Sequence, residues 1–304
     1  MIRDTHTKPS RALPAGSTDC HMHVFGPLDK YPCAPRRSYT PREARLDQWE
    51  SMARHVGLER QVLVQASAYG TDNSCMLDAM EAAGGRCRGV AVIDAATSTQ
   101  ELEAMHRQGV RGVRVNAATF GENDSSAILD HVKWAAERVA PLGWHVQIFT
   151  RLGVIDALAD QLKQLPAPLV IDHMGLARAE LGVKQPGFAR LLGLLKSGRC
   201  WVKISGAYRV SSVAPDFPDA APLAQALLDA NSERIVWGSD WPHTGEHKGE
   251  AHDGAPPVID YRPLDNGVLV NLLIDWCRDE STLRRVLVDN PAELYGFPGA
   301  HAYA

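Results

Sequence analysis

The sequence predicts a single-domain α/β protein, a (β/α)8 TIM barrel, and three observations carry that prediction. Eight short apolar runs read as strands: STDCHMHVFG, QVLVQAS, RGVAVID, VRGVRVN, WHVQIF, LVIDHMG, CWVKISG and RIVWGSDW. Segments with helical periodicity separate them, and many of these end in Gly or Pro, as helices tend to. Alternation in units of roughly 25 to 40 residues implies a parallel sheet, and eight units in one chain of this size fit a closed barrel. The doubly wound open sheet is the competing architecture. It would usually place a glycine-rich phosphate loop after the first strand, and this chain has none there.

Taken in order, residues 1–16 form a polar N-terminal arm, and residues 17–304 form the barrel domain. After the first strand comes GPLDKYPCAPRRSYTP (26–41), too long for a plain strand-to-helix turn. The helical segments EARLDQWESMARHVG, NSCMLDAMEAAGG, STQELEAMHRQG, SAILDHVKWAAERVAPLG, GVIDALADQLKQLP, PGFARLLGLLKSG and PLAQALLDANSE then alternate with the remaining strands. After the last strand runs a second long polar stretch, 242–267. First and last strands are neighbours in a closed ring, and both long loops leave their C-terminal ends. Active sites of barrels are built at that end, so the two loops are expected to frame one.

Composition narrows the function. Of 304 residues 45% are hydrophobic and 22% charged, with a formal net charge of −4. No basic stripe suits nucleic acid, and no run of apolar residues is long enough to span a membrane. The first 20 residues lack the apolar core of a secretory signal, which leads to the expectation of a cytoplasmic protein. Six scattered cysteines with no CxxC pair read as reduced, mostly buried thiols.

Polar residues inside apolar strands need a reason, because burying an ionisable group without a partner is costly. His21 and His23 stand at i and i+2 and so share one face of the first strand. His173 lies at the end of LVIDHMG, and Asp240 at the end of RIVWGSDW. Three imidazoles and a carboxylate from strand ends on one rim could hold a divalent metal, or could polarise a carbonyl and activate water. Arg114 and Asn116 alternate in RGVRVN, facing one side, and a guanidinium reads a carboxylate with two parallel hydrogen bonds. Arg209 follows VKISGAY in a strand-to-helix loop. His145 and Lys203 appear early in their strands, and both are expected to lie below the chemistry.

The stretches DCHMHVFGP, RRSYTP, VQASAYGTDN, GVAVID, RGVRVN, GWHVQIF, VIDHMG, IVWGSDWPH and DNPAELY together resemble the amidohydrolase superfamily, in the branch that contains lactonases of 2-pyrone-4,6-dicarboxylate. The resemblance runs from residue 19 to about 296. It implies a hydrolase that opens the ring of a small carboxylated lactone. Asp240 would be the general base, with His21, His23 and His173 around the carbonyl or the water. Arg114, Arg209, Tyr39, Ser67 and Asn116 would bind substrate. Tyr69, Trp241 and His243 would line the pocket or shape its loop. The branch works either with no metal or with one divalent ion, zinc or manganese, held by His21, His23, His173 and Asp240. A two-metal centre is disfavoured, since VRGVRVN lacks a bridging lysine. The sequence departs from the branch twice. The loop after RGVRVN reads AATFGEND, without the branch's further arginine, and Phe149 stands where a tyrosine binds substrate, with Arg151 two residues on as a candidate replacement. Alternatives are a lactone isomerase, a metal-dependent decarboxylase and a non-catalytic binder of an acidic metabolite.

Overall fold

The computed structural model describes residues 2–119, 121–122, 124–245, 252–253 and 256–298. Eight parallel strands form one sheet in sequence order. They are β1 (Thr18–Met22), β2 (Arg60–Val64), β3 (Cys87–Ala91), β4 (Val110–Asn116), β5 (His145–Phe149), β6 (Leu169–Ile171), β7 (Cys200–Lys203) and β8 (Ile235–Val236). Backbone hydrogen bonds then close the ring between β1 and the segment after β8. Cys20 N–H donates to Trp237 O at 2.8 Å, Asp240 N–H to His21 O at 2.8 Å and His23 N–H to Trp241 O at 2.8 Å. The barrel read from the strand–helix rhythm is therefore the fold, and its closure puts the HxH motif beside Asp240.

Two apolar layers follow from strand alternation. Leu63, Val113, Val146, Ile148, Leu169 and Ile171 face the helices and join the large outer core. Val62, Val64, Val90, Val170 and Val236 face inward with Cys20, and Tyr295 and Phe297 from the chain's end pack against them. β1 breaks the strict alternation. Its register against β2 slips between Asp19 and Met22, a bulge that puts one extra residue in β1. A bulge re-aims a side chain, and here it lets both Cys20 and His21 turn inward while Asp19 turns to the helix layer. Asp19 is fully buried and ties three elements together. It accepts from Ser239 N–H (2.8 Å), Ser239 Oγ (2.5 Å) and Trp49 Nε1 (3.0 Å), the last on the helix Leu46–Val56.

The two long loops meet as expected. Arg36–Arg37 pairs antiparallel with His252–Asp253, and Thr40 N–H donates to Pro257 O at 3.0 Å. Residues 246–251 and 254–255 of the second loop lie outside the described residues. The N-terminal arm lies along the helix Asn266–Cys277. Thr7 N–H donates to Asp265 at 2.9 Å and Ser10 N–H to Asn271 Oδ1 at 2.7 Å. Gly267 makes that crossing possible, since a Cβ there would fall 1.7 Å from Thr7 O. All six cysteines are free, five of them buried. Among the described residues no helix is long and apolar enough to cross a membrane.

Candidate active site

The C-terminal ends of the strands deliver the site. His21 is in β1 and His23 just beyond it; His173 and Asp240 follow β6 and β8 within a few residues. His173 and Asp240 both sit in the left-handed region, at φ 48° and φ 62°. Neither is glycine, so each costs energy that surrounding structure must offset, as functional sites often do. The turn at Asp240 aims its carboxylate back over the barrel axis. Its Oδ1 lies 3.7 Å from His21 Nε2 and 3.6 Å from His23 Nε2, and its Oδ2 lies 4.0 Å from His173 Nε2. All four residues are buried.

Each imidazole is anchored through its other nitrogen. His23 Nδ1 lies 2.7 Å from Val64 O, which can only accept, so Nδ1 carries the hydrogen. His173 Nδ1 pairs with Ser205 Oγ at 2.9 Å, and His21 Nδ1 lies 3.3 Å from Asp172 Oδ1. Such anchoring fixes ring orientation and leaves Nε2 pointing at the centre. Nε2 of His21, Nε2 of His173 and Oδ1 of Asp240 are all buried without a hydrogen-bond partner. His21, His173 and Asp240 each offer one ligand atom, and these lie within 4.8 Å of one another, a donor set that fits one divalent ion.

Charge around this centre is dense. Burial alone would raise the Asp240 carboxyl, but Arg209, then His173 and the neighbouring imidazoles, hold it well below its usual value. Arg209 Nε lies 2.5 Å from Asp240 Oδ2, and Tyr208 donates its hydroxyl to the same oxygen at 2.6 Å. Burial pushes His21 well below an ordinary imidazole and His173 down to about 3, so both are neutral at pH 7. Burial likewise takes His243 to about 4; its Nε2 pairs with Asn266 Oδ1 at 3.1 Å.

The expected binding residues adjoin this centre. Arg114 and Arg209 approach one ring, with their guanidinium carbons 5.2 and 5.7 Å from the Phe149 centroid. Phe149 thus sets an aromatic ring against two cations, and it also meets His173 edge-on at 5.2 Å. Tyr39 is buried, and its hydroxyl pairs with Ser67 and Thr244. A cleft of about 470 Å³ opens beside Arg114, lined by Ser67, Gln65, Asn116, Arg36, Glu122 and His131 among others. Asn116 faces it, but its Oδ1 accepts from Thr119 N–H at 3.0 Å. Arg151 is exposed, preceding the helix Leu152–Leu162. Phe120 and Asn123 of AATFGEND lie outside the described residues.

One placement corrects the sequence reading. Lys203 is not early in its strand but the last residue of β7, because β7 is only Cys200–Lys203. Its ammonium is fully buried directly beneath His21, 2.8 Å from Cys20 O and 2.6 Å from Gln147 Oε1. His145, by contrast, does sit low: it opens β5, against Gly112 and the Tyr295 ring. The sequence reading gives no role to Asp172, Gln147, Ser205 or Tyr208, and it sets Lys203 away from the chemistry. Their signal was present, for Gln147 and Lys203 are polar residues inside apolar strands and Asp172 immediately precedes His173.

A parallel barrel that converges three strand-end imidazoles and a carboxylate on one point defines a hydrolytic enzyme of the amidohydrolase class, and the chain belongs to that family. The amidohydrolase family pattern matches residues 18–297. The chain is 37% identical to the 4-sulfomuconolactone hydrolase of Hydrogenophaga intermedia, over 96% of its own length and 92% of the relative's. It is 36% identical to a 2-pyrone-4,6-dicarboxylate hydrolase of Comamonas testosteroni, over 95% and 93%. A solved structure from Pseudomonas putida, described as a putative 2-pyrone-4,6-dicarboxylic acid hydrolase, superposes with a TM-score of 0.77 at 32% identity, covering 94% of this chain and 99% of that one.

Proposed function

We propose that this enzyme hydrolyses the ring ester of a small carboxylated lactone. The observation that carries the reading is the convergence of unpartnered His21 Nε2, His173 Nε2 and Asp240 Oδ1 beside two guanidiniums. Ester hydrolysis needs a water made nucleophilic and a carbonyl made electrophilic. Asp240 Oδ1 would take the proton from water and later return it to the leaving ring oxygen. Arg114 and Arg209 supply cations for the substrate carboxylate, with Phe149 against both as a platform for the ring. Tyr39 and Ser67 add hydroxyls at the mouth. Binding by Arg209 draws it from Asp240, which makes that carboxylate a stronger base when substrate is present.

His23 bears on the cofactor. With Nδ1 committed to Val64 O, a neutral His23 aims a lone pair at the Asp240 carboxylate, so a positive charge between them is favoured. One divalent ion held by His21, His23, His173 and Asp240 would meet that need. Zinc or manganese there would act as a Lewis acid toward the ester carbonyl.

The test follows the ultraviolet absorbance of 2-pyrone-4,6-dicarboxylate, with 4-sulfomuconolactone in parallel, each with and without chelator and in oxygen-18 water. Loss of the lactone with one labelled oxygen in the acid supports hydrolysis; label-free product supports isomerisation instead. Activity lost to chelator and restored by zinc or manganese assigns the ion. Activity indifferent to chelator, in protein that elemental analysis shows to hold no ion, means that the four side chains act without a metal. Product of neither kind from any lactone refutes the reading.

A further inference from the structure

We propose that Lys203 is a positioning residue for the reaction: a fixed positive charge beneath the His21 imidazole that supports this ring as negative charge develops on the substrate oxygen above it. The inference rests on the lactone-hydrolase reading. It starts from a cost, because an ammonium with no exposure to solvent is expensive to bury and needs compensation.

Part of the compensation is an ion pair with Asp172, but the hydrogen bonds of the ammonium point elsewhere. Lys203 Nζ is 3.7 Å from Asp172 Oδ1, beyond hydrogen-bond distance. It is nearer to His21 Nδ1, at 3.4 Å, and it is held by two neutral oxygens, Cys20 O at 2.8 Å and Gln147 Oε1 at 2.6 Å. Asp172 has other partners. Gln147 Nε2 donates to its Oδ2 at 2.9 Å, Arg114 Nε lies 3.4 Å from that oxygen, and His21 Nδ1 lies 3.3 Å from Oδ1. Lys203 is therefore ion-paired with Asp172 but hydrogen-bonded to the catalytic strand. Cys20 and His21 are the residues that the β1 bulge turns inward, so the bulge and the lysine meet at one place. The ammonium pins the Cys20 carbonyl, which sets where His21 leaves the strand. A charge held in a dry interior acts without reorganising, the condition under which electrostatic support of a transition state is large.

Two variants test this. Lys203→Gln removes the charge and keeps a neutral donor for the two oxygens; Lys203→Met removes both. We expect each to lower kcat roughly tenfold to a hundredfold, with KM within about twofold, because no contact with bound substrate is lost. A double-mutant cycle with Asp172→Asn separates the alternative that Lys203 only neutralises that carboxylate. On the proposal, Lys203→Gln still lowers kcat about tenfold or more in the Asp172→Asn background. Recovery of the Lys203→Gln loss by Asp172→Asn would overturn it. So would wild-type kcat in Lys203→Gln, a loss carried wholly by KM, or failure of both Lys203 variants to fold, which would make the residue structural. If the wild-type chain opens no lactone, the functional reading fails before any variant is compared.

Discussion

Single residues decide the chemistry, and Asp240 is the first to test. Replacing it by Asn keeps size and the bonds from Tyr208 and Arg209 but removes the base. We expect kcat to fall by on the order of a thousandfold or more with the circular dichroism spectrum unchanged. Wild-type turnover in that variant would remove Asp240 from the mechanism. Arg209 acts on the same carboxylate from the other side. Its cation lowers the Asp240 pKa, so Arg209→Met should raise it. The base must be ionised, so activity in the variant should fade at a higher pH than in wild type as the solution is acidified. KM should also rise about tenfold or more, from loss of a carboxylate contact. A pH profile of kcat/KM that does not move would mean that Arg209 leaves Asp240 basicity untouched.

Elements place those residues, and the junction of β1 with the segment after β8 is the critical one. Gly238 lies where the two backbones nearly touch: a Cβ there would fall 2.5 Å from His21 Cβ and 2.6 Å from His21 N. Overpacking at such a point costs about 1–3 kcal/mol and shifts backbone. Gly238→Ala should therefore lower both the melting temperature and kcat, since the atom displaced belongs to a catalytic residue. A variant that melts earlier with full kcat would show that the junction does not set His21. Much of this scale was legible in the sequence, because alternation is periodic and local. His21 and His23 share a face by period two, and the rhythm of apolar runs orders the eight strands. The bulge was not legible, since a one-residue slip leaves the apolar pattern of β1 unchanged. Lys203 was misplaced for a related reason. WVKISG looks like a strand running past the lysine, but pairing with β8 stops at Lys203 and Val236, so the residue taken as low is the last of its strand. Asp172 was passed over because its partners, Gln147, Lys203 and Arg114, come from three other strands and meet it only when the ring closes.

The whole molecule carries an acid sensitivity that no single element shows. Burial lowers His145 and His173 to about 3 and His243 to about 4, against an ordinary imidazole near 6.5 in the unfolded chain. Below pH 6.5 the unfolded chain binds protons that these three folded sites refuse. Stability therefore falls as pH drops from 6.5 toward each folded value, and the full contribution is present only above 6.5. At pH 5 each site costs about 2 kcal/mol, a large share together of the 5–15 kcal/mol that typically separates folded from unfolded protein. Asp172 and Asp240 are held well below an ordinary carboxylate, so their contribution is present above about pH 4 and is lost only as pH falls further. The decline between pH 6.5 and 5 thus belongs to the imidazoles. His145 isolates the effect, because it is buried at the start of β5, apart from the four converging side chains. His145→Leu should leave kcat near wild type and flatten the fall in melting temperature between pH 7 and 5. Equal slopes in the two proteins would place the acid sensitivity elsewhere.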